Sequence, residues 1–166
     1  GANTYTWSPS ASLSSSTGPN VIASPSSTTT YTVIGTGGYG CTASSQVTVT
    51  VNPPPAVTTS PSLSICFMQA VVLMASGAST YSWSPSSSLS SSTGSSVIAT
   101  PSSTTTYTVT GTNNNGCTAT SQVTVTVNPL PVILVSPDDT ICIGQSAQLT
   151  STGASTYTWS PSSTLS

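Results

Sequence analysis

The sequence contains no lysine, arginine, histidine or glutamate, and Asp138 and Asp139 are its only charged side chains in 166 residues. A soluble domain averages about 25% charged residues. Without His, Glu or Lys no ordinary general acid or base is available, so an ordinary enzyme is excluded. A chain without basic residues offers no surface for nucleic acid or anionic lipid. The longest apolar run, around Ala70 to Ala75, falls far short of the ~20 residues of a transmembrane helix, so this segment is expected not to insert in a membrane. No Asn-x-Ser/Thr sequon occurs, which excludes N-glycosylation. Neither a CxxC pair nor a histidine accompanies the four cysteines, so no metal and no cofactor is expected.

Serine and threonine are abundant instead, at 69 residues. Disorder does not follow, because disordered chains are poor in β-branched and aromatic residues. This one is 35% hydrophobic, with three Trp, six Tyr and repeated Val-Thr alternation. A formal charge of −2 gives little electrostatic protection against association. The surface must be hydrated or covered in another way.

The chain repeats itself. Trp7, Trp83 and Trp159 are spaced by 76 residues, as are Cys41 and Cys117, and Cys66 and Cys142. Residues 1–76 and 77–152 share 49 identities, 42 of them within the first 53 positions. The first residues lie in mid-repeat and the last 14 open a third copy, so the chain reads as a window on a longer polypeptide.

Strict alternation of apolar and polar residues marks half-buried strands. Gln122 to Val127 puts Val123, Val125 and Val127 on one face. Thr104 to Val109 does the same with Tyr107 and Val109, and Gly111 to Gly116 turns the chain between them. Tyr81 and Trp83 alternate on a strand that stops at Pro85. Val132 to Val135, Ala147 to Leu149 and Val97 to Ala99 supply further strands, and no segment has a 3.6-residue period. Six or seven short strands per 76 residues predict an all-β fold of tandem immunoglobulin-like sandwiches, beads on a string. Residues 54–128 form one complete unit, flanked by partial units at 1–52 (strands C to G) and 130–166 (strands A to C). The proline-rich junctions at Asn52-Pro53 and Asn128-Pro129 hold neighbours in a semi-rigid line.

Four motifs in order carry a family resemblance: Gly-Ala-Ser-Thr-Tyr-Thr-Trp-Ser-Pro (153–161), Thr-Thr-Tyr-Thr-Val-Thr-Gly-Thr (105–112), Asn-Gly-Cys-Thr-Ala-Thr (115–120) and Ile-Cys-Ile-Gly-Gln-Ser (141–146). Along its whole length the chain resembles the Ig-like/PKD-like repeats of giant secreted or cell-surface proteins of Bacteroidota, including gliding-type adhesins exported by the type IX system. The resemblance implies an extracellular, secreted repeat without catalytic activity, and a disulfide within one unit between Cys66 and Cys117. Two departures stand out: the near absence of charge, and Phe67-Met68-Gln69-Ala70 where the other copy has Ile143-Gly144-Gln145-Ser146.

Cys41, Cys66, Cys117 and Cys142 are disulfide candidates rather than metal ligands. An Ig order places Cys66 and Cys117 at opposite ends of the sandwich, tens of ångströms apart, whereas bridged Cα atoms lie ~5–6 Å apart. Pairing within a unit, between successive units or chains, and free thiols therefore all remain open. Trp7, Trp83 and Trp159 are expected as core plugs of strand C rather than a ligand-stacking row, and Tyr31 and Tyr107 as core or tyrosine-corner residues. Asp139-Thr140-Ile141 resembles the Asp-Ser/Thr-apolar motif of Bacteroidota O-glycosylation, with Thr140 as acceptor. The expected role is a glycan-bearing structural segment whose partners are neighbouring repeats or copies of itself. The alternative is a carbohydrate- or surface-binding module using Ser/Thr/Asn loops and Tyr39. Replacement of Gly37-Gly38-Tyr39 by Asn113-Asn114-Asn115 one repeat later favours the spacer role.

Overall fold

The computed structural model describes residues 1–162, and the chain is all-β, with no α-helix among the described residues. Residues 1–51 carry three strands, β1 (Thr4–Ser8), β2 (Thr29–Thr36) and β3 (Thr42–Val49), in one antiparallel sheet of order β1-β2-β3. The middle of the chain follows with β4 (Thr58–Thr59), β5 (Leu63–Cys66), β6 (Val71–Ser76), β7 (Thr80–Ser84), β8 (Ser96–Ala99), β9 (Thr105–Thr112) and β10 (Thr118–Asn128). Last come β11 (Leu134–Val135) and β12 (Ser151–Thr152), paired only with each other.

The seven middle strands form two sheets, β5-β10-β9-β7 and β4-β6-β8. Period-two alternation decides what lies between them. Trp83, Tyr107, Val109, Val123, Val125 and Ile65 point inward from the first sheet, and Leu73, Ala75, Val97 and Ala99 from the second; all are buried. This is an immunoglobulin-like sandwich.

The first strand of that unit is split. The chain pairs antiparallel with β6 through β4 and then parallel with β10 through β5. Pro61 has no N–H to extend a ladder, so the crossing falls there. The serines on either side hold one sheet each. Ser60 Oγ accepts the Met74 N–H of β6 at 3.3 Å, and Ser62 Oγ accepts the Thr124 N–H of β10 at 3.0 Å.

The same sheet registers recur one repeat apart. Thr80 opposes Thr112 as Thr4 opposes Thr36, and Val123 opposes Tyr107 as Val47 opposes Tyr31. The burial recurs at Tyr31 but not at the valine opposite it. Val47 is 50% exposed where Val123 is 1% exposed, because no second sheet lies over β1-β2-β3 among the described residues.

Candidate functional site

Three features of the surface could carry function: an ordered hydroxyl face, a groove at the edge of β7, and the cysteines at the unit ends. The hydroxyl face is the outward side of β7, β9 and β10. Alternation that sends Val and Tyr inward sends Thr outward, and the antiparallel register sets them side by side: Thr110 against Thr120, Thr106 against Thr124, Ser82 against Thr110. Thr106 and Thr124 hydroxyls bond at 2.8 Å, and Gln122 Nε2 donates to Thr108 Oγ1 at 3.1 Å. The first unit repeats both bonds at Thr30–Thr48 and Gln46–Thr32. Lacking charge, this face holds its side chains by hydroxyl and amide bonds alone.

The groove encloses about 530 Å3 and is lined by Ser79, Thr80, Tyr81, Ser82, Thr93, Gly94, Thr110 and Thr112. Its one aromatic ring is committed elsewhere. Tyr81 OH donates to the Ala78 carbonyl at 2.8 Å and accepts the Ala78 N–H at 2.8 Å. This local clasp of a tyrosine hydroxyl on backbone sits on β7, while Tyr31 and Tyr107, expected as core or tyrosine-corner residues, take the core position. Those two instead reach serine hydroxyls, Tyr107 bonding Ser88 Oγ at 2.6 Å and Tyr31 bonding Ser12 Oγ. Both rings are fully buried.

The tryptophans part company. Trp83 is buried, with Nε1 donating to the Gly94 carbonyl at 2.9 Å. Trp7 keeps the equivalent bond to Gly18 at 3.0 Å yet is only half-buried, and Trp159 is exposed. A core plug needs the facing sheet, and among the described residues only the middle unit supplies one.

The cysteines mark the ends of the middle unit. Cys66 closes β5 opposite Asn128, the last residue of β10. Cys117 immediately precedes the first residue of the same strand, so β10 separates the two by about 35 Å. The intra-unit Cys66–Cys117 pairing implied by the family resemblance is therefore not made, and all four cysteines are free thiols. Cys117 Sγ instead donates to the Asn52 carbonyl across 3.5 Å, at the junction with the preceding unit. Asn113, which the sequence reading treated as a variable loop position, is a clasp there. Its Oδ1 accepts the N–H groups of Asn115 and Cys117, both at 3.0 Å, and its Nδ2 donates to the Pro53 carbonyl at 3.1 Å.

Thr140 is exposed, its N–H donating to Asp139 Oδ1 at 2.8 Å. Among the described residues no three His, Cys, Asp or Glu side chains gather as metal ligands, and no helix is long and apolar enough to cross a membrane.

No family model matches the sequence, and no curated protein matches it. Among solved structures, the chain aligns with protocadherin gamma B7 extracellular cadherin domains 1-4 at 15% identity and TM-score 0.34, covering 82% of this chain and 45% of that one. The protocadherin gammaB7 EC3-6 cis-dimer gives 16% and 0.33, covering 80% and 43%. The Bacteroides ovatus mixed-linkage glucan utilization locus protein SGBP-B, in complex with a mixed-linkage heptasaccharide, gives 15% and 0.23, covering 81% and 39%. This chain spans less than half the length of each, and at these scores the fold rests on the strand topology itself.

Proposed function

We propose that the chain is a non-enzymatic structural segment of a long extracellular bacterial fibre, stalk or giant adhesin, O-glycosylated and stapled by disulfides, with residues 1–52, 54–128 and 130–166 as successive immunoglobulin-like units. One observation carries the reading. What persists from repeat to repeat is what builds a bead: the inward Tyr and Val positions, the Trp Nε1–Gly bond and the strand registers. What varies is the loop that a binding site would need, Gly37-Gly38-Tyr39 against Asn113-Asn114-Asn115. Proline junctions keep the beads in line. With no Lys or Arg, the chain offers trypsin no cleavage site. The exposed Thr140, beside Asp139, is the first candidate for an O-glycan.

Electron microscopy of native material tests this. Beaded fibres with an axial rise of ~35–45 Å per unit, from strands of ~8–10 residues plus a junction, and density beyond Ser or Thr side chains are expected. Bare isolated domains would overturn it.

A second reading, a carbohydrate- or surface-binding module, is favoured by the open hydroxyl-lined groove beside β7. Tyr39, the aromatic residue of this reading, is fully exposed but lies away from that groove's lining, and the groove's own Tyr81 has its hydroxyl committed to the Ala78 backbone. Glycan binding by the 166-residue chain that is lost in Ser82→Trp would support it over the spacer role.

A further inference from the structure

One flank of the middle unit departs from the pattern of apolar inside and hydroxyl outside. Five large apolar side chains of residues 54–128 lie open to water, and all five belong to the β4-β6-β8 side. Val72 (51% exposed) and Met74 (59%) point outward from β6, and Ile98 (47%) points outward from β8 directly beside Val72. Thr100 is the next outward residue after Ile98. With Phe67, Met68, Pro101 and Ser102 it lines a groove of about 280 Å3 at the end of the same face. Met68 and Met74 are the two methionines of the chain, so both lie here. The next repeat shows that the fold does not require this face. Residues 147–150 read Ala-Gln-Leu-Thr, polar at the outward positions, where 71–74 read Val-Val-Leu-Met. Gly144 stands where Met68 is held at φ 68°, a conformation that costs a side chain stability and persists where function needs it. The bare apolar area, on the order of 500 Å2, is at the upper end of what a monomer leaves uncovered. Consecutive exposed apolar residues are a liability on a free surface.

We propose that this flank pairs with the same flank of a second copy of the chain, across a two-fold axis at the Val72–Ile98 row. Charge selects the occupant. Residues 54–128 contain no charged side chain, and the rim of the face is Thr58, Ser76, Ser96, Thr100 and Ser102. An ordinary protein surface, about a quarter charged, would have to give up hydration of charges that this face cannot pair. A second copy brings none.

Shape agrees with charge. Met74 lies beside Ser96, two outward rows or about 13 Å from Thr100, and the Val72–Ile98 row falls midway. Half a turn about that row sets the two β6 strands antiparallel across the contact. Each Met74 then lies over the groove of the other copy, its thioether against the Phe67 ring, a favourable sulfur–aromatic contact. Val72 and Ile98 meet their own counterparts at the axis. Such an isologous contact closes at two units. It joins flanks rather than ends, so it goes beyond the reading above and holds for a fibre and for a single tether alike. The area is smaller than the ~800 Å2 per partner of stable complexes, so a dissociation constant on the order of 100 µM is expected.

The test uses the 166-residue chain labelled with 13C-methyl methionine, which gives two signals, both from this face. Between about 20 µM and 1 mM both are expected to shift along one binding curve. NOEs should run from the Met74 methyl to the Phe67 ring of a differently labelled copy. Photo-methionine, which replaces only Met68 and Met74, should cross-link Met74 of one copy to residues 67–68 or 100–102 of another. Val72→Gln combined with Met74→Thr installs the residues that the next repeat carries at 148 and 150. With tryptophan fluorescence unchanged, this variant should pair at least about tenfold more weakly, read on the Met68 signal. Methionine signals fixed up to 1 mM, pairing undiminished in the double variant, or cross-links from Met74 to Met74 would overturn the proposal. Signals that move only when phosphatidylcholine vesicles are added would overturn it in favour of a lipid surface.

Discussion

Single residues show where this sequence is at ease and where it is strained. Met68 occupies the left-handed region at φ 68°, where the other copy has Gly144 at φ 87°. A side chain there costs roughly 1–2 kcal/mol, partly offset by the greater chain entropy that glycine loses on folding. Met68 is 81% exposed and gives little packing in return. Met68→Gly is therefore expected to raise unfolding free energy by about 0.5–1 kcal/mol, read as a higher urea midpoint at unchanged slope. Core truncation runs the other way. Leu73→Ala should cost about 2–5 kcal/mol, whereas Leu149→Ala, at a position half open to water, should cost under about 1 kcal/mol in the 166-residue chain. Equal costs in denaturant titrations would contradict the difference in burial. Much of this was legible beforehand, since alternation alone places Tyr107, Val109, Val123 and Val125 inward. The hydroxyl partners were not. Ser88 and Tyr107 lie 19 residues apart with nothing in the spacing to join them.

At the scale of elements, the hairpin of the two long strands was readable, and the crossing of the first strand was not. Alternation reports which side of a strand is buried, but β4 and β5 bury the same kind of residue against different sheets. The informative residue was Pro61, flanked by Ser60 and Ser62. Between residues 54–76 and 130–152 only seven identities persist, Pro55, Ser60, Pro61, Ile65, Cys66, Gln69 and Leu73. The structure gives most of them work: core contacts for Ile65 and Leu73, the sheet change for Ser60 and Pro61, and a bond from the Cys66 N–H to Gln69 Oε1. The junction depends on Asn113. Asn113→Ala removes two bonds within the turn and one to Pro53. Because the site is largely exposed, the expected loss is about 1 kcal/mol, with a larger effect on alignment. Small-angle scattering should show a broader distribution of end-to-end lengths in the variant, and an unchanged distribution would remove Asn113 from the junction.

At the scale of the whole molecule, the missing charge has two opposite consequences. No side-chain ion pair can form in a chain without Lys, Arg or His, so stability rests on the core and on hydroxyl ladders that salt does not screen. The Tm is expected to move by no more than a degree or two between 10 and 500 mM NaCl. A large shift would point to electrostatic terms that this sequence does not contain. The same neutrality removes repulsion between molecules. Ordered Thr rows run along β9 and β10 inside a sheet whose edge strands are β5 and β7, and unpaired edges recruit further strands unless something blocks them. A coat of O-glycans on the Ser/Thr surface would block them sterically where other proteins use lysine. Chemical removal of O-linked sugars from native fibres should therefore cause lateral bundling, visible by negative-stain microscopy, at every salt concentration. Charge-driven bundling would instead depend on ionic strength. Fibres that stay dispersed after sugar removal would show that the hydroxyl face is protected by its own hydration, and that the glycans serve another purpose.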